Sequence, residues 1–236
     1  MYVIILINNN YKQQDGCQVK KQFLLGENLV IFSFLFLFVT LSFIVKMQLF
    51  SSLDLEIFTI IQEYKVSKIH DFFLFITKFS ASSSAIIVLG FISIFLYTTK
   101  RYQELVFTLI FFISSAGGAY LLKYMFAVSR PVSGIDGLSG YSYPSGHSVL
   151  ALCLTLIMYR IVYLSVKSKL IFNIYATFLV IYATLSISAR VILGAHWCSD
   201  ALGSILFVLF VYHFTLNKMT KLPIYEKLVK MVENEK

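Results

Sequence analysis

Three short polar stretches interrupt an apolar chain: "KYMFAVSRP", with Lys123 and Arg130; "YPSGHS", with Ser145, Gly146 and His147; and "ARVILGAHWCSD", with Arg190, His196 and Asp200. Three fixed cations suit a ligand with several anionic oxygens, and phosphate is the common case. Two imidazoles permit a division of labour. One attacks phosphorus as a neutral nucleophile, and the other protonates the leaving oxygen. The cations then stabilise charge on the equatorial oxygens of the transition state. That chemistry is hydrolysis of a phosphomonoester or pyrophosphate without a metal or other cofactor. Spacing adds detail. Asp200 follows His196 by four residues, so the two are neighbours on a helix that begins near Trp197, and the carboxylate can fix the ring's tautomer. Lys123 and Arg130 are seven apart and share a helix face if the helix persists that far. Pro144 leads into Ser145, Gly146 and His147 at an expected helix start, where free N–H groups and the positive dipole end bind anions.

Other readings of these residues are weaker. Lysine and arginine often act as simple interface anchors. A charge at the bilayer centre costs about 2.5–3.5 kcal/mol, and three cations, two histidines and a carboxylate on one face exceed what anchoring needs. A zinc site of His147, His196 and Asp200 would set a divalent ion among three cations. A serine hydrolase using Ser145 lacks the G-x-S-x-G turn. A lipid-binding or transport protein with a phosphate-binding cavity is the non-enzymatic alternative, and it would be expected to have lost a member of the set.

The elements that must position these residues are membrane helices. The chain has 236 residues, 58% hydrophobic and 14% charged, where a soluble domain carries about 25% charged. The segments Asn28–Val45, Phe79–Thr99, Leu105–Leu122, Leu170–Ala189 and Ala201–Asn217 contain no Asp, Glu, Lys or Arg. Each is close to the roughly 17–25 residues that span a bilayer. A sixth run, Ser148–Tyr159, reaches that length if Arg160 snorkels at one end and His147 sits at the other interface. Stretches such as "VIFSFLFLFVTLSFIV" lack the two-residue alternation of a barrel strand. The expected fold is all-α, a six-transmembrane-helix bundle over residues 28–217. Residues 1–27 form a cytoplasmic arm and 218–236 a basic cytoplasmic tail. Met47–Asp71 reads as an amphipathic interfacial helix or a plain connector. His70 and His213 read as structural or interfacial, and Cys153 as packing. The three cysteines, Cys17 among them, form neither a disulfide framework nor a zinc knuckle.

With the N-terminus inside, thirteen of the 20 Lys and Arg lie on cytoplasmic segments and seven on the other side, as the positive-inside rule requires. The net charge of +8 then reflects topology and lipid attraction, not nucleic-acid binding. The first cluster ends helix three and the second begins helix four; the third joins helices five and six. All three therefore face one side, and the charge count makes it the extracytoplasmic one.

Lys-x6-Arg-Pro, Pro-Ser-Gly-His and Arg-x5-His-x3-Asp, in that order over residues 123–200, resemble the type 2 phosphatidic acid phosphatase superfamily of membrane lipid phosphatases. The resemblance implies that Lys123, Arg130 and Arg190 hold the phosphate with Ser145 and the Gly146 backbone. It implies that His196 is the nucleophile and forms a phosphohistidine, that Asp200 orients it, and that His147 is the general acid and then activates water. Two positions depart from the pattern. Ala189 stands where the family usually has Ser, and Cys198 where Pro is common. An outward site at bilayer depth implies a lipid phosphate as partner: undecaprenyl pyrophosphate or another polyprenyl pyrophosphate, phosphatidylglycerophosphate, phosphatidic acid or a lipid A phosphate. The compact chain, without an Asn-x-Ser/Thr acceptor, suggests a bacterial inner membrane.

Overall fold

A computed structural model describes residues 16–63, 67–131 and 140–219. The start of the expected N-terminal arm and most of the basic tail lie outside these residues. Eight helices occupy the described residues: α1 (Gly16–Lys46), α2 (Ser51–Glu63), α3 (Ser67–Phe79), α4 (Ser82–Thr98), α5 (Tyr102–Phe126), α6 (Gly146–Ser165), α7 (Lys169–Ile192) and α8 (Cys198–Met219). From Gly26 onward α1 is long and apolar enough to cross a membrane, and so are α5, α6, α7 and α8. A sixth crossing is a bent pair, His70–Phe79 with Ser82–Thr98, meeting at 43°. Counted as one span, the pair completes the six-crossing, all-α bundle expected from the sequence.

The expected second span, Phe79–Thr99, is thus a broken helix whose first limb starts well before Phe79. The break falls in the serine cluster "SASSS" from Ser80 to Ser84. Hydroxyls compete there for backbone groups. Ser80 Oγ donates to the Thr77 carbonyl at 3.3 Å, Ser84 Oγ to Lys78 at 2.6 Å, and Tyr182 Oη to Phe79 at 3.3 Å. Carbonyls freed by the break find donors inside the protein, as a non-aqueous setting demands.

Two other elements differ from expectation. The α1 helix begins at Gly16, ahead of Asn28. Arg160 does not snorkel. It forms a two-pronged ion pair with Glu104 of α5, at 2.6 and 2.9 Å, and lies over the Phe107 ring at 4.6 Å. An internal carboxylate and an aromatic face are close enough to replace water, so α6 continues past Arg160 to Ser165.

The core lies where α6 and α8 meet α1 and α5. Val149, Cys153 and Ile157 of α6 pack with Phe207, Val208 and Val211 of α8, Phe107 and Phe111 of α5, and Phe38 of α1. Lipid tails are as apolar as these side chains, so close van der Waals fit has to hold the helices together. Small residues allow it. A Cβ on Gly118 would come within 2.6 Å of the Phe207 ring, and one on Gly203 would run into the Tyr143 ring. Residues such as Phe32, Phe36, Phe91, Ile94, Ile174 and Phe178 point outward, as lipid-facing positions should.

Gly203 also supports the site, because Tyr143 directly precedes Pro144. Gly203→Ala should drive the Tyr143 ring from its slot, lowering both unfolding resistance in mixed micelles and activity. Ser42→Ala should cost about 1–3 kcal/mol, the penalty for a buried hydroxyl left unpaired, because Ser42 and Tyr143 hydroxyls meet at 2.7 Å. A Gly203→Ala protein as stable as the parent would refute the close approach.

Candidate active site

The site assembles at one end of the bundle, where α5 stops, α6 starts, α7 stops and α8 starts. The α5 helix ends at Phe126, and Ala127 turns the chain in a left-handed conformation, φ 50°. The helix does not persist to Arg130, so the seven-residue spacing does not place Lys123 and Arg130 on one helix face. They converge through the backbone opposite. Lys123 Nζ donates to the carbonyls of Tyr141 (2.8 Å) and Ser142 (3.2 Å), and Arg130 Nε donates to Gly140 (3.1 Å). The Ser142 N–H donates to Val128 at 2.8 Å. Two cations and a backbone bond thus hold residues 140–142 against the end of α5.

That segment feeds α6. Tyr143 is fully buried, its ring edge-on to Phe126 at 5.4 Å. Ser145 is the N-cap; its Oγ accepts from the Ser148 N–H (3.4 Å) and hydroxyl (2.9 Å). Its N–H donates to Ser204 Oγ of α8 at 2.9 Å. Ser145 is therefore first a helix cap and a tie to α8, with its own hydroxyl proton still available for an anion. The first-turn N–H groups of Gly146 and His147 find no acceptor among the described residues, as expected of a helix start. Lys123 runs beside them, its Cε 3.9 Å from where a Gly146 Cβ would stand. His147 is half-buried and feels the charges of Arg190, Arg130 and Lys123.

Arg190 lies in the last turn of α7 and is 3% exposed. Its carbonyl accepts from Ala195 N (3.0 Å) and His196 N (3.2 Å), closing the turn through Gly194 at φ 72°. Its Nε is buried with no partner among the described residues. Lys123 and Arg130 bond to carbonyls, so this guanidinium is the cation most in need of an added acceptor.

His196 and Asp200 form the centre. Asp200 Oδ2 accepts from His196 Nδ1 (3.1 Å), from the Trp197 N–H (2.9 Å) and from Ser142 Oγ. Arg130 Nη1 lies 3.1 Å from His196 Nε2 and also donates to the Ala195 carbonyl at 2.8 Å. A guanidinium can only donate, so Nε2 must carry the lone pair and Nδ1 the proton. The ring is neutral, with its free nitrogen turned toward a cation. Burial, then the charges of Arg130, Lys123 and Arg190, push the His196 pKa well below its ordinary value of 6.5, which agrees with that tautomer.

The structure brings together every site residue expected from the sequence. It also shows positions to which sequence reasoning gave no role. Ser142 donates to Asp200 and lies 3.4 Å from His196 Nδ1. Ser204 ties α8 to Ser145. Asp54 of α2 reaches the start of α8. Ser142 at least sits in the same polar stretch as Pro144, whereas Asp54 carries no local signal.

The family model described as the PAP2 superfamily matches residues 105–222, half of the chain. The chain belongs to the PAP2 superfamily. The match covers all three polar clusters. Among solved structures, this PAP2 protein is similar to one described as the first transmembrane PAP2 type phosphatidylglycerolphosphate phosphatase from Bacillus subtilis. The TM-score is 0.74, with 22% sequence identity over 82% of this chain and 97% of the other, which fixes the fold. No curated protein sequence matches the chain. The apolar helices make this PAP2 protein an integral membrane protein.

The depressed pKa has a kinetic consequence. The ring stays neutral until the pH falls well below 6.5, so the acid limb of kcat/KM should lie below the ordinary histidine range. A pH–rate profile corrected for the substrate's own ionisation checks this. An enzyme inflection at 6.5 that belongs to His196 would contradict the buried, cation-flanked ring.

Proposed function

We propose that this PAP2 protein is a membrane lipid phosphatase that hydrolyses a phosphomonoester or pyrophosphate of a membrane lipid through a phosphohistidine, without a metal. The carrying observation is the neutral His196, held by Asp200 through Nδ1 with Nε2 beside Arg130. Lys123, Arg130 and Arg190 bind the phosphoryl oxygens with the Gly146 N–H and the Ser145 hydroxyl. Their charge supplies the stabilisation that a metal gives elsewhere. His196 Nε2 attacks phosphorus, and the P–N bond forms as the P–O bond to the lipid breaks. His147 gives its proton to the departing oxygen. The proton on His196 Nδ1 stays shared with Asp200, which offsets the positive charge on the phosphorylated ring. His147 then takes a proton from water, the water oxygen attacks phosphorus, and inorganic phosphate leaves as His196 returns to neutral.

The substrate class follows from a site at the end of a membrane bundle: a lipid whose phosphate lies at the interface. Phosphatidylglycerophosphate is the first to assay, given the activity named for the similar solved structure. Undecaprenyl pyrophosphate, phosphatidic acid and lipid A phosphates complete the panel. The Lys and Arg distribution supports an extracytoplasmic site with both termini in the cytoplasm, and the compact chain without an Asn-x-Ser/Thr acceptor supports a bacterial inner membrane. A lipid-binding or transport role without catalysis is the competing reading, and turnover separates the two.

Activity should survive EDTA and be inhibited by vanadate, which mimics the trigonal-bipyramidal phosphoryl group. Loss on chelation with rescue by zinc or magnesium would overturn the metal-free step. His196→Ala should abolish turnover and phosphoenzyme together. His147→Ala should lower turnover by about 10²–10⁴-fold and be partly rescued by a nitrophenyl phosphate, whose leaving group needs no proton. Label trapped under alkali on His147 in place of His196 would reverse the roles. In a cysteine-free background, a cysteine at Tyr141 should react from outside intact cells and one at Lys167 should not; the opposite pattern would invert the topology.

A further inference from the structure

Helix α2 presents three side chains at i, i+4 and i+8, and all three grip the turn that carries His196. Asp54 Oδ1 accepts from the Ser199 N–H at 3.0 Å, and Oδ2 accepts from Ser199 Oγ at 2.5 Å. The Phe58 ring meets Trp197 edge-on at 5.7 Å. Gln62 Nε2 donates to the Ile192 carbonyl at 3.2 Å, where α7 ends. These contacts bracket residues 192–199, and so His196, from both ends. Asp54 is 8% exposed and Ser199 4%, so water does not compete for the pair. Burial raises the Asp54 pKa, with the nearby Asp200 charge adding to it and the Ser199 bonds opposing it. A carboxylate kept there despite that cost has a reason in the site it faces.

The reason is the N-terminus of α8, whose first N–H groups have no intrahelical acceptors. Asp200 satisfies Trp197 from within the helix, and Asp54 satisfies Ser199 from 145 residues away. Two carboxylates therefore fix the first turn of α8, and Asp200 can hold His196 only if that turn is fixed. Leu53, Leu55 and Ile60 of α2 are exposed, a surface suited to the lipid interface.

We propose that Asp54, supported by Phe58 and Gln62, is a positioning residue for the His196–Asp200 pair, so that α2 belongs to the catalytic machinery. The inference rests on the phosphatase reading above. Asp54 touches no reacting atom and acts through Ser199 and the α8 N-terminus.

The test is single-turnover rapid quench on the full chain in lipid–detergent micelles, with the labelled lipid of the panel that the parent turns over fastest. Rate and amplitude of phosphohistidine formation are measured for the parent, Asp54→Ala, Asp54→Asn and His196→Ala. A residue needed only for folding lowers the amplitude, the fraction of competent molecules. A positioning residue lowers the rate constant, because a small misplacement of reacting groups costs up to about 10²-fold. Asp54→Ala should lower the rate at least about tenfold with the amplitude little changed. Asp54→Asn keeps an acceptor oxygen for the Ser199 N–H and should recover most of the rate. Phe58→Ala should lower the rate independently, which keeps the test informative if Asp54→Ala does not fold. An unchanged rate in the Asp54 and Phe58 variants, beside a dead His196→Ala, would overturn the positioning role and leave the phosphatase reading intact. A parent inactive on the whole lipid panel would overturn both.

Discussion

One carboxylate oxygen organises the site. Asp200 Oδ2 accepts from His196 Nδ1, the Trp197 N–H and Ser142 Oγ. Hydrogen bonds to a charged group contribute about 1.5–3 kcal/mol each. Three of them at a helix N-terminus offset part of the cost of a fully buried carboxylate, whose other oxygen, Oδ1, has no partner among the described residues. Each donor comes from a different part of the site. Trp197 belongs to the start of α8, His196 to the turn after α7, and Ser142 to the strip leading into α6. The carboxylate therefore fixes a tautomer and also registers three segments against one another.

Charge balance explains why the cations are tied where they are. Three buried or half-buried cations face one nearby carboxylate, so the site carries an excess of positive charge that a phosphate dianion would neutralise. Lys123 and Arg130 meet part of their need through carbonyls of residues 140–142 and 195. Those bonds also shape the loop. The same two side chains that would hold the substrate hold the backbone that presents the helix N-terminus, so binding there would be coupled to folding at this end of the bundle.

Away from the site, the bundle shows how a membrane interior is built without a hydrophobic difference between protein and solvent. Gly118 and Gly203 let aromatic rings approach a helix backbone, Ser42 pairs with the Tyr143 hydroxyl, and Glu104 with Arg160. These two pairs join segments far apart in the chain, and such pairs set helix registers that greasy surfaces alone leave loose. The bend between α3 and α4 follows the same rule, with side-chain hydroxyls meeting the carbonyls it exposes.

Much of this could be read from the sequence. Charge-free runs of spanning length required helices, because a backbone in lipid must satisfy its own hydrogen bonds. Four of those runs and the shorter Ser148–Tyr159 run became long helices, and the remaining run, Phe79–Thr99, became part of a bent pair. The three polar clusters could be joined because the fourth and fifth spans, α6 and α7, each cross once, so topology alone put Lys123, His147 and His196 on one side. The four-residue spacing of His196 and Asp200 encoded their contact, since it is local. What the sequence did not contain was long-range. That Arg130, beyond the end of α5, reaches His196 depends on the left-handed turn at Ala127. That Ser142 serves Asp200 depends on how residues 140–142 are pinned. That Asp54 caps a helix 145 residues away depends on where α2 lies against α7 and α8. Spacing fixes neighbours within a helix; only packing decides which helix ends meet, and at this site the hydrogen bonds to Asp200, Ser199 and His196 are made between those ends.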